Sequence, residues 1–465
     1  MTAIVWFRRD LRLHEHPALR AALDAHNDVV PVFCFDERLL HGRHASGSRT
    51  QFLLECLADL DGSLRERGSG LIVRNGPPER TLAALAEEIK AEELHFTADI
   101  TPFARQRGER VRKALDAARL ALHGHPGLGV INDIGAPLTQ AGKPYSVFSA
   151  FHRSWERESR REVLGAPRQL PALPSGLARG EIPSLASLGL EQEVDEPPKG
   201  GEHEGRKLLE RFLAHDVSGY RENRNALCSS STSRLSPYLH LGCVSAREVE
   251  DRLGSDGGSA TFRRQLCWRD FHHHVLFHFP RNATSELQLR YRGKIKWSHA
   301  ERRFAAWCEG CTGYPLVDAG MRQLRHEGWM HNRARLVVGS FLTKDLGIDW
   351  RWGERHFMRL LVDGDEANNN GNWQWIASVG SDPQPAYRRI YNPTRQMEAH
   401  DPDGSYVRRY VPELRHVPDD YIREPWTMPA HVQREVGCVI GTDYPKPIVD
   451  HADARRRALE RYRIG

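Results

Sequence analysis

Short apolar runs alternate with stretches of helical periodicity through the first third of this chain, and this alternation limits the folds that it can adopt. Four runs, each too short for a helix, have the length and composition of buried strands; they are residues 4–7, 29–35, 71–73 and 94–96. Between them, one helical face is marked by apolar residues three and four apart, namely Phe52, Leu53, Cys56, Leu57, Leu60 and Leu64. We therefore expect an α/β domain, a doubly wound parallel sheet with helices on both faces.

The loops that leave these strands should line a ligand crevice at the carboxyl ends of the sheet. Residues 8–10 and 97–99 are two such loops. No Gly-x-Gly-x-x-Gly follows the first strand, so the usual dinucleotide fingerprint is missing. A cofactor bound at this edge would need another mode of binding.

The composition of the chain changes after the first third. Residues 166–201 are rich in Pro, Gly and Ser, which is typical of a surface linker, and from about residue 202 helical patterns dominate. Residues 345–361, for example, predict one helix. Since 465 residues are too many for one core, we expect an α/β domain over 1–130, a linker over 131–201 and an all-α domain over 202–465.

Charge and cysteine content indicate a soluble, cytoplasmic protein. The start of the chain is neither a signal peptide nor a membrane helix, and no later stretch approaches about eighteen apolar residues. Eight scattered cysteines fit a reducing compartment, and the net charge of +5 permits a polyanionic partner without requiring one. Nine of the eleven tryptophans lie between Trp268 and Trp426, and this clustering needs a reason.

Two segments of the second domain carry side chains that bind phosphates or base edges. Thr232 to Ser236 places hydroxyls and a guanidinium just before a helix, which suits a phosphate; an ordinary N-cap with a surface arginine is the alternative. Asn332, Arg333 and Arg335 offer an amide and two guanidiniums on one turn or adjacent turns. A surface helix that carries arginine is the alternative there.

The run of residues 363–375 contains Asp, Glu and Asn side chains that disfavour a helix interior. Carboxylates can accept hydrogen bonds from ribityl or ribose hydroxyls, and an Asn amide can face a ring nitrogen. A calcium loop is one rival, but the ligand spacing of an EF-hand is missing; a solvated loop is the other. Cys308 and Cys311, and the histidines 272–274, lack further ligands at suitable spacing, so no metal ligand is expected.

Several of these segments resemble the flavin domain of the photolyase/cryptochrome family: residues 220–236, 268–271, 312–315, 329–333 and 363–375. The opening, residues 6–13, resembles that family's antenna domain. The resemblance covers nearly the whole chain and implies a U-shaped FAD in an all-α FAD-binding domain, with Asn369 opposite the isoalloxazine N5. It assigns the flavin contacts to Tyr220, Thr232, Ser233, Arg234, Leu235, Ser236, Phe262, Arg335, Asp363, Gly364, Asp365 and Asn369.

The resemblance also implies the chemistry. Light-excited, fully reduced FAD would pass an electron to a cyclobutane pyrimidine dimer, whose two linking bonds break before the electron returns. Trp297, Trp350 and Trp373 match the family's electron-transfer chain and, with Asn369, form the implied catalytic set. The residues placed around a DNA lesion are Arg224, Gln265, Trp268, Asn332, Arg333, Trp375 and Gln396.

Two departures from the family pattern bear on the lesion. Gln265 stands where many dimer-specific members have Glu, and Leu336 stands where many have Met. Members that repair (6-4) lesions carry His at the positions of Asn332 and Leu336, and this chain has neither, so we expect repair of cyclobutane dimers. A cryptochrome photoreceptor is the alternative, but such members usually add a C-terminal extension or lose lesion-contacting residues, whereas this chain retains Trp268, Asn332 and Arg333.

The resemblance leaves two types of antenna chromophore open. Residues 97–103 look more like those of deazaflavin-binding members, which favours 8-hydroxy-5-deazaflavin. His240 occupies a place where those members often carry Lys, so methenyltetrahydrofolate is the alternative. We expect the partner to be UV-damaged DNA that contains pyrimidine dimers, with no membrane contact, and we expect a monomer.

Overall fold

A parallel sheet forms the first part of the molecule. The structure is a computed structural model and describes residues 2–117, 119–228 and 231–463. Within those ranges the strands are β1 (Thr2–Phe7), β2 (Asp28–Phe35), β3 (Ile72–Asn75), β4 (Glu93–Thr97) and β5 (Ala121–His125). All neighbours pair in parallel, in the order β3-β2-β1-β4-β5.

Strand β5 is not among the strands that the sequence predicts. Its sequence, Ala-Leu-His-Gly-His, contains no apolar run, and it lies at an edge of the sheet with none of its residues fully buried. An edge strand with partial burial needs only backbone pairing with its one neighbour, so apolar periodicity does not reveal it.

Helices cover both faces of the sheet, as predicted. Side chains alternate along a strand, so Ala3, Val5 and Phe7 face one core while Ile4 and Trp6 face the other. In chain order the helices are α1 (Pro17–Ala25), α2 (Glu37–Leu40), α3 (Gly47–Glu66), α4 (Pro78–Ile89) and α5 (Pro102–Ala117). The first core contains residues of α1 and α3, and the second contains residues of α4 and α5.

The segment predicted as a linker, residues 131–201, holds one α-helix, α6 (Phe148–Trp155), and a 3-10 turn at Ala186–Leu188. Part of it runs along the outer edge of β3. There Val73 N donates to Arg179 O at 2.6 Å, and Arg74 Nη1 donates to Ala178 O at 2.8 Å. The boundaries of the domains stay a prediction.

The second part of the molecule is helical. No helix in the described residues is long and apolar enough to cross a membrane. The helices are α7 (Glu202–Arg211), α8 (Tyr220–Asn223), α9 (Ser236–Leu241), α10 (Ala246–Asp251), α11 (Gly257–His278), α12 (Glu301–Glu309), α13 (Pro315–Glu327), α14 (Asn332–Ser340), α15 (Trp350–Leu360), α16 (Glu366–Ile376), α17 (Pro393–His400), α18 (Ser405–Tyr410), α19 (Ala430–Glu435) and α20 (His451–Arg461).

Two stretches of the helical part differ from their prediction. The helix expected over 345–361 begins only at Trp350, because Asp349 caps α15 by accepting a hydrogen bond from Arg351 N at 3.0 Å. The polar run 363–375 is helix α16 for most of its length. Asp365 caps this helix, and the Asn and Gln side chains bond to nearby backbone and amide groups, which offsets their weak helix propensity.

The sheet and the helical part are in direct contact. Leu11 N donates to Leu241 O at 3.2 Å, and the rings of Phe52 and Tyr238 meet edge to face at 5.3 Å. Gly242 ends α9 with φ +69°, and a Cβ there would lie 2.1 Å from Arg9 O. The close approach of these two backbones therefore requires glycine at this position.

Replacing Gly242 with Ala should destabilise the contact between the two parts. The positive φ alone costs an L-residue roughly 1–2 kcal/mol, and displacing the Arg9 carbonyl adds about 1–3 kcal/mol. Gly189→Ala is the matched control, because its φ is +67° but nothing lies within 4 Å of its Cβ position. Urea unfolding followed by circular dichroism should give a clearly lower midpoint for Gly242→Ala; equal midpoints would contradict the close approach.

Candidate functional site

Asp365 lies where the sheet and the helical part meet. Its carboxylate accepts a hydrogen bond from Asn368 N at the start of α16 (2.9 Å), lies 3.1 Å from His273 Nε2 of α11, and pairs with the guanidinium of Arg9 from the loop after β1. Burial opposes ionisation, but His273 and Arg9 outweigh it and hold the pKa of this carboxyl well below its usual range. One charged group therefore connects three elements.

Asp363 and Arg335 form a second pair at the same place. Arg335 Nη1 and Nη2 donate to Asp363 Oδ1 and Oδ2 at 3.2 and 2.7 Å, and Arg335 Nε donates to Met330 O at 2.8 Å. The Asp363 side chain is 3% exposed. This fork-to-fork geometry holds both planar groups in one orientation, and it brings together two residues that the sequence assigns to the flavin.

The three polar segments singled out in the sequence are neighbours in space. Trp329 Nε1 donates to Ser236 Oγ at 3.1 Å, and the guanidinium of Arg234 lies 4.4 Å from the centre of the Trp329 ring. Val362 N donates to Gly328 O at 2.9 Å, next to the run that begins at Asp363. Residues 232–236, 328–335 and 363–375 thus form one site.

Tyr220 and Phe262, both predicted flavin contacts, meet edge to face at 5.1 Å. Burial raises the pKa of the Tyr220 phenol to about 12, so the hydroxyl is protonated at neutral pH and can donate a hydrogen bond. Thr232 and Ser233 are half-buried, and the Ser233 hydroxyl accepts a bond from Leu235 N at 3.3 Å. Ser229 and Ser230 of the resembling segment lie outside the described residues.

Asn369 and Gly364 occupy crowded positions around α16. Asn369 is buried, and its Nδ2 donates to Glu354 O of α15 at 3.0 Å, which fixes the amide. At Gly364 a Cβ would lie 2.5 Å from Arg49 Nη1, and that guanidinium donates to Met358 O at 2.7 Å. Both positions are therefore tightly constrained by their neighbours.

Trp373 packs against a glycine that leaves room for its ring. A Cβ at Gly353 would lie 2.2 Å from Trp373 Cη2, so only glycine fits there. Gly353 is on α15, three residues after Trp350, and residues three apart share a helix face. The two tryptophans Trp350 and Trp373 are thus held on adjacent helices, and both are almost fully buried.

Trp297 is the outer member of the predicted electron-transfer chain. Its neighbour Ser298 forms a parallel bridge with Ile348, two residues before Trp350, and the Trp297 side chain is half-buried. Burial therefore decreases from Trp350 to Trp297, the order expected for a chain that leads to the surface. A further buried tryptophan, Trp307, meets Trp373 edge to face at 6.1 Å and does not belong to the predicted set.

The residues predicted to surround the lesion include a stacked aromatic pair. The ring of Trp268 lies parallel to Phe148, with centroids 3.7 Å apart and planes at 2°. Gln265 is half-buried one turn before Trp268 on α11, and Asn332 is exposed at the start of α14. Arg224 is half-buried, and its Nε has no hydrogen-bond partner among the described residues.

Arg333 and Gln396, two other lesion candidates, are brought together. Arg333 Nη1 lies 3.5 Å from Gln396 Oε1, and Arg333 Nη2 donates to Asn225 Oδ1 at 2.8 Å. Trp375 is half-buried, and the guanidinium of Arg389 lies 3.8 Å from the centre of its ring. These contacts orient a guanidinium and an aromatic face, which are the groups that bind phosphates and splayed bases.

Buried polar atoms without a partner test whether these residues suit a flavin. In the described part of the chain, Asn370 Nδ2 and Trp375 Nε1 of α16 and His273 Nδ1 of α11 are buried without a hydrogen bond. Each such group costs about 1–3 kcal/mol when left unpaired. Carboxylates and amides around α16, together with the hydroxyls of Thr232 and Ser233, match the hydroxyl, phosphate and ring groups of FAD, so the residue set fits that cofactor.

Comparisons with known proteins place the chain in a family. A family model described as DNA photolyase matches residues 3–174, and one described as the FAD-binding domain of DNA photolyase matches residues 262–464. A deoxyribodipyrimidine photo-lyase of Streptomyces griseus is 43% identical over 458 residues, which cover 98% of each chain. The chain belongs to the DNA photolyase family.

Solved photolyase-family structures share the whole fold. A bacterial class III photolyase from Agrobacterium tumefaciens has a TM-score of 0.92 at 35% identity and covers 99% of this chain and 97% of its own. A Synechocystis sp. cryptochrome has a TM-score of 0.90 at 32% identity over 100% of this chain and 99% of its own. The predicted succession of a parallel α/β sheet and a helical FAD-binding domain is thereby confirmed.

The sequence did not predict the residues that contact Asp365 and Trp375 in this site. Arg9 and Asp365 are 356 positions apart, and Arg389 lies against Trp375 from another segment. His273 belongs to a histidine run that the sequence discounts as a metal site, yet it contacts Asp365. Of these, Arg9 alone carried a signal, since it lies in the opening that resembles the family's antenna domain.

Glu366 should make stability depend on pH. Burial, together with the charges of Asp365 and Asp99, raises the pKa of its carboxyl to about 7. Between the ordinary Glu value and about 7 the folded chain binds more protons than the unfolded chain, so stability falls as pH rises through this window. Glu366→Gln should raise the melting temperature above pH 7 and have little effect at the acid end.

Glu435→Gln is the control for this measurement, because Glu435 is exposed on α19. Thermal melts of both variants on either side of pH 7 would separate the effect of the buried carboxyl from a general change in net charge. A melting temperature for Glu366→Gln that tracks the native protein at every pH would show that this carboxyl ionises freely.

Proposed function

We propose that this protein is a deoxyribodipyrimidine photo-lyase, which uses light and a non-covalent FAD to split cyclobutane pyrimidine dimers in DNA. The full-length likeness to a photo-lyase supports this activity. The observation that carries the proposal is the arrangement around α16. There the Arg335–Asp363 pair, the buried Asp365 carboxylate and Trp373 lie together within the domain whose family model describes FAD binding.

When bound, light-excited reduced FAD supplies the electron that splits the dimer and takes it back. The chain holds and orients this cofactor. Thr232 and Ser233 would supply hydroxyls for its phosphates, and the Arg335–Asp363 pair would offer oriented polar groups to its ring. Asn369, whose amide is held by Glu354 O, would hydrogen-bond to the ring. The remaining proposed contacts are Tyr220, Arg234, Leu235, Ser236, Phe262, Gly364 and Asp365.

The chain must also draw the dimer out of the duplex. A kinked dimer stacks poorly, so its extrusion costs less than the extrusion of normal bases, and this difference supplies selectivity. Arg224 and Arg333 neutralise phosphates, and the aromatic faces of Trp268 and Trp375 pack against the extruded bases. Asn332, Gln265 and Gln396 donate or accept hydrogen bonds at base edges.

The side chains at the lesion favour the cyclobutane dimer. Splitting this dimer needs an electron out and back and no proton from the protein. Gln265 keeps a hydrogen bond to the pyrimidine but has no acidic proton, and Leu336 is aliphatic. Members of the family that repair (6-4) lesions carry a histidine pair for proton transfer. This chain has Asn332 and Leu336 at those positions.

An antenna chromophore of the 8-hydroxy-5-deazaflavin type is part of the proposal, with methenyltetrahydrofolate as the alternative. Two guanidiniums line the carboxyl ends of the strands: Arg8 lies 4.6 Å and Arg107 5.0 Å from the centre of the Trp6 ring. Burial lowers the pKa of Arg107 to about 9. Cations and aromatic faces at this edge suit an anionic conjugated ring, and an absorption spectrum of the purified protein distinguishes the two chromophores.

The proposal extends to a monomer that works in the cytoplasm. The structure gives all eight cysteines as free thiols, and most are buried. Free thiols in this number support a reducing compartment. Sedimentation of the purified protein at several concentrations tests the monomer.

Reduced protein under blue light should restore thymines from cyclobutane dimers and leave (6-4) photoproducts intact. Chromatography of oligonucleotides that carry each lesion, before and after illumination, measures both reactions, and a dark incubation is the control. Repair of the (6-4) lesion alone would overturn the assignment, whereas bound flavin without repair of either lesion would favour the cryptochrome alternative.

Trp373→Phe should slow light-driven reduction of oxidised flavin by an order of magnitude or more, because the relay loses its flavin-proximal indole. Repair by chemically pre-reduced protein should survive. Trp307→Phe is the matched control, since Trp307 is equally buried and contacts Trp373 but lies outside the proposed chain. Absorption spectra recorded during illumination measure the rate of flavin photoreduction. A normal rate in Trp373→Phe, or an equal decrease of the rate in Trp307→Phe, would show that electron transfer follows another path.

A further inference from the structure

Three histidines surround one carboxylate at the β5 side of the sheet, away from the flavin site. Oε2 of Glu93 lies 3.0 Å from His26 Nε2, 3.0 Å from His95 Nε2 and 3.3 Å from His123 Nε2. One ligand atom each of His26, Glu93 and His95 lies within 4.8 Å of the others. No part of the proposed repair mechanism uses these residues.

The fold itself brings the four side chains together. Glu93 and His95 are two residues apart on β4 and therefore share one face of the sheet. His123 is the register partner of His95 on β5, so its side chain points to the same face. His26 follows the last residue of α1, and its side chain is only 3% exposed. Three separate elements thus direct a ligand group to one point.

One ring nitrogen of this cluster is buried and aimed at the carboxylate. His123 Nε2 is buried without a hydrogen bond in the described residues, although it points at Glu93.

A fifth side chain, His125, stands behind His95. Its Nε2 lies 3.0 Å from His95 Nδ1, and the two rings are stacked at 5.2 Å. With zinc bound, His95 would donate its one N–H from Nδ1 to His125, and its Nε2 lone pair would bind the ion. An outer acceptor of this kind fixes the tautomer of a metal-binding histidine and raises its basicity.

We propose that His26, Glu93 and His95 bind one Zn²⁺ ion, with the more exposed His123 as its fourth ligand. Bonds of about 2.0 Å in a tetrahedral site place neighbouring ligand atoms about 3.3 Å apart. The ligand atoms of His26, Glu93 and His95 all lie within 4.8 Å of one another, and the carboxylate oxygen lies 3.0, 3.0 and 3.3 Å from the three imidazole nitrogens. Three imidazoles and one carboxylate form a donor set that binds zinc in preference to calcium or magnesium.

The ion would tie the end of α1 to β4 and β5. Strand β5 is an edge strand that pairs with β4 alone, and none of its residues is fully buried, so little apolar burial holds it. A ligand that binds only the folded chain stabilises it in proportion to the logarithm of ligand concentration over Kd. The zinc site would therefore contribute to the stability of the sheet and leave the repair chemistry unchanged.

The test uses the full-length protein with its flavin, treated with a chelator and then titrated with Zn²⁺ against a chromophoric competitor. We expect one tight equivalent and a higher melting temperature with zinc than without it. Substitution by Co²⁺ should give the visible bands of a tetrahedral ion in a difference spectrum. Absence of a tight equivalent in the native protein would overturn the proposal whatever the variants do.

Glu93→Gln and His123→Gln should each weaken zinc binding at least tenfold and abolish the thermal shift. His41→Gln, an exposed histidine after α2, is the matched control. Cys228→Ser tests the competing group of Cys228, Asp401 and Asp403. The His123 side chain is 43% exposed, so its replacement leaves the core intact. This variant therefore tests zinc binding even if Glu93→Gln fails to fold. Unchanged binding in His123→Gln, or loss of binding in Cys228→Ser, would overturn the assignment.

Discussion

The negative charge of Asp365 is held at a depth where burial alone would disfavour it, and much of the site depends on how that charge is compensated. His273 and Arg9 supply the compensation from α11 and from the loop after β1. Removing one partner of such a buried pair costs about 3–5 kcal/mol, because it leaves a charge without a partner. The same carboxylate caps α16, so the helix that presents Asn369 and Trp373 begins where the two parts of the molecule are joined.

The fold class could be predicted because its signals are local. Alternating apolar runs and helical periodicity mark four of the five strands of the sheet, and long motifs in the right order mark the flavin domain. Strand β5 escaped because it is an edge strand of mixed polarity. The late start of α15 and the helical nature of the 363–375 run depend on single capping residues, Asp349 and Asp365, whose effect is weaker than that of a periodic pattern.

The residues of the site could be predicted from the sequence, but the contacts and distances between them could not. Family motifs identify Asp363 and Arg335 separately, and the structure joins them in a fork-to-fork pair. Contacts such as Gly353 against Trp373 depend on how two helices pack, and no single-sequence pattern encodes that distance. The histidine cluster of the sheet is the extreme case, because its ligands come from α1, β4 and β5 and share no motif.

Residues 178–180 cover part of the outer edge of β3. An unpaired edge strand offers a row of backbone groups to which a strand of another molecule can add. Here the chain's own residues occupy part of that row, through Arg179 O on Val73 N, and a Cβ at Gly180 would lie only 2.3 Å from Val73 O. Residues 178–180 thus also protect this edge against intermolecular strand pairing. A sheet domain separated from the rest of the chain would expose the edge unless it kept these residues.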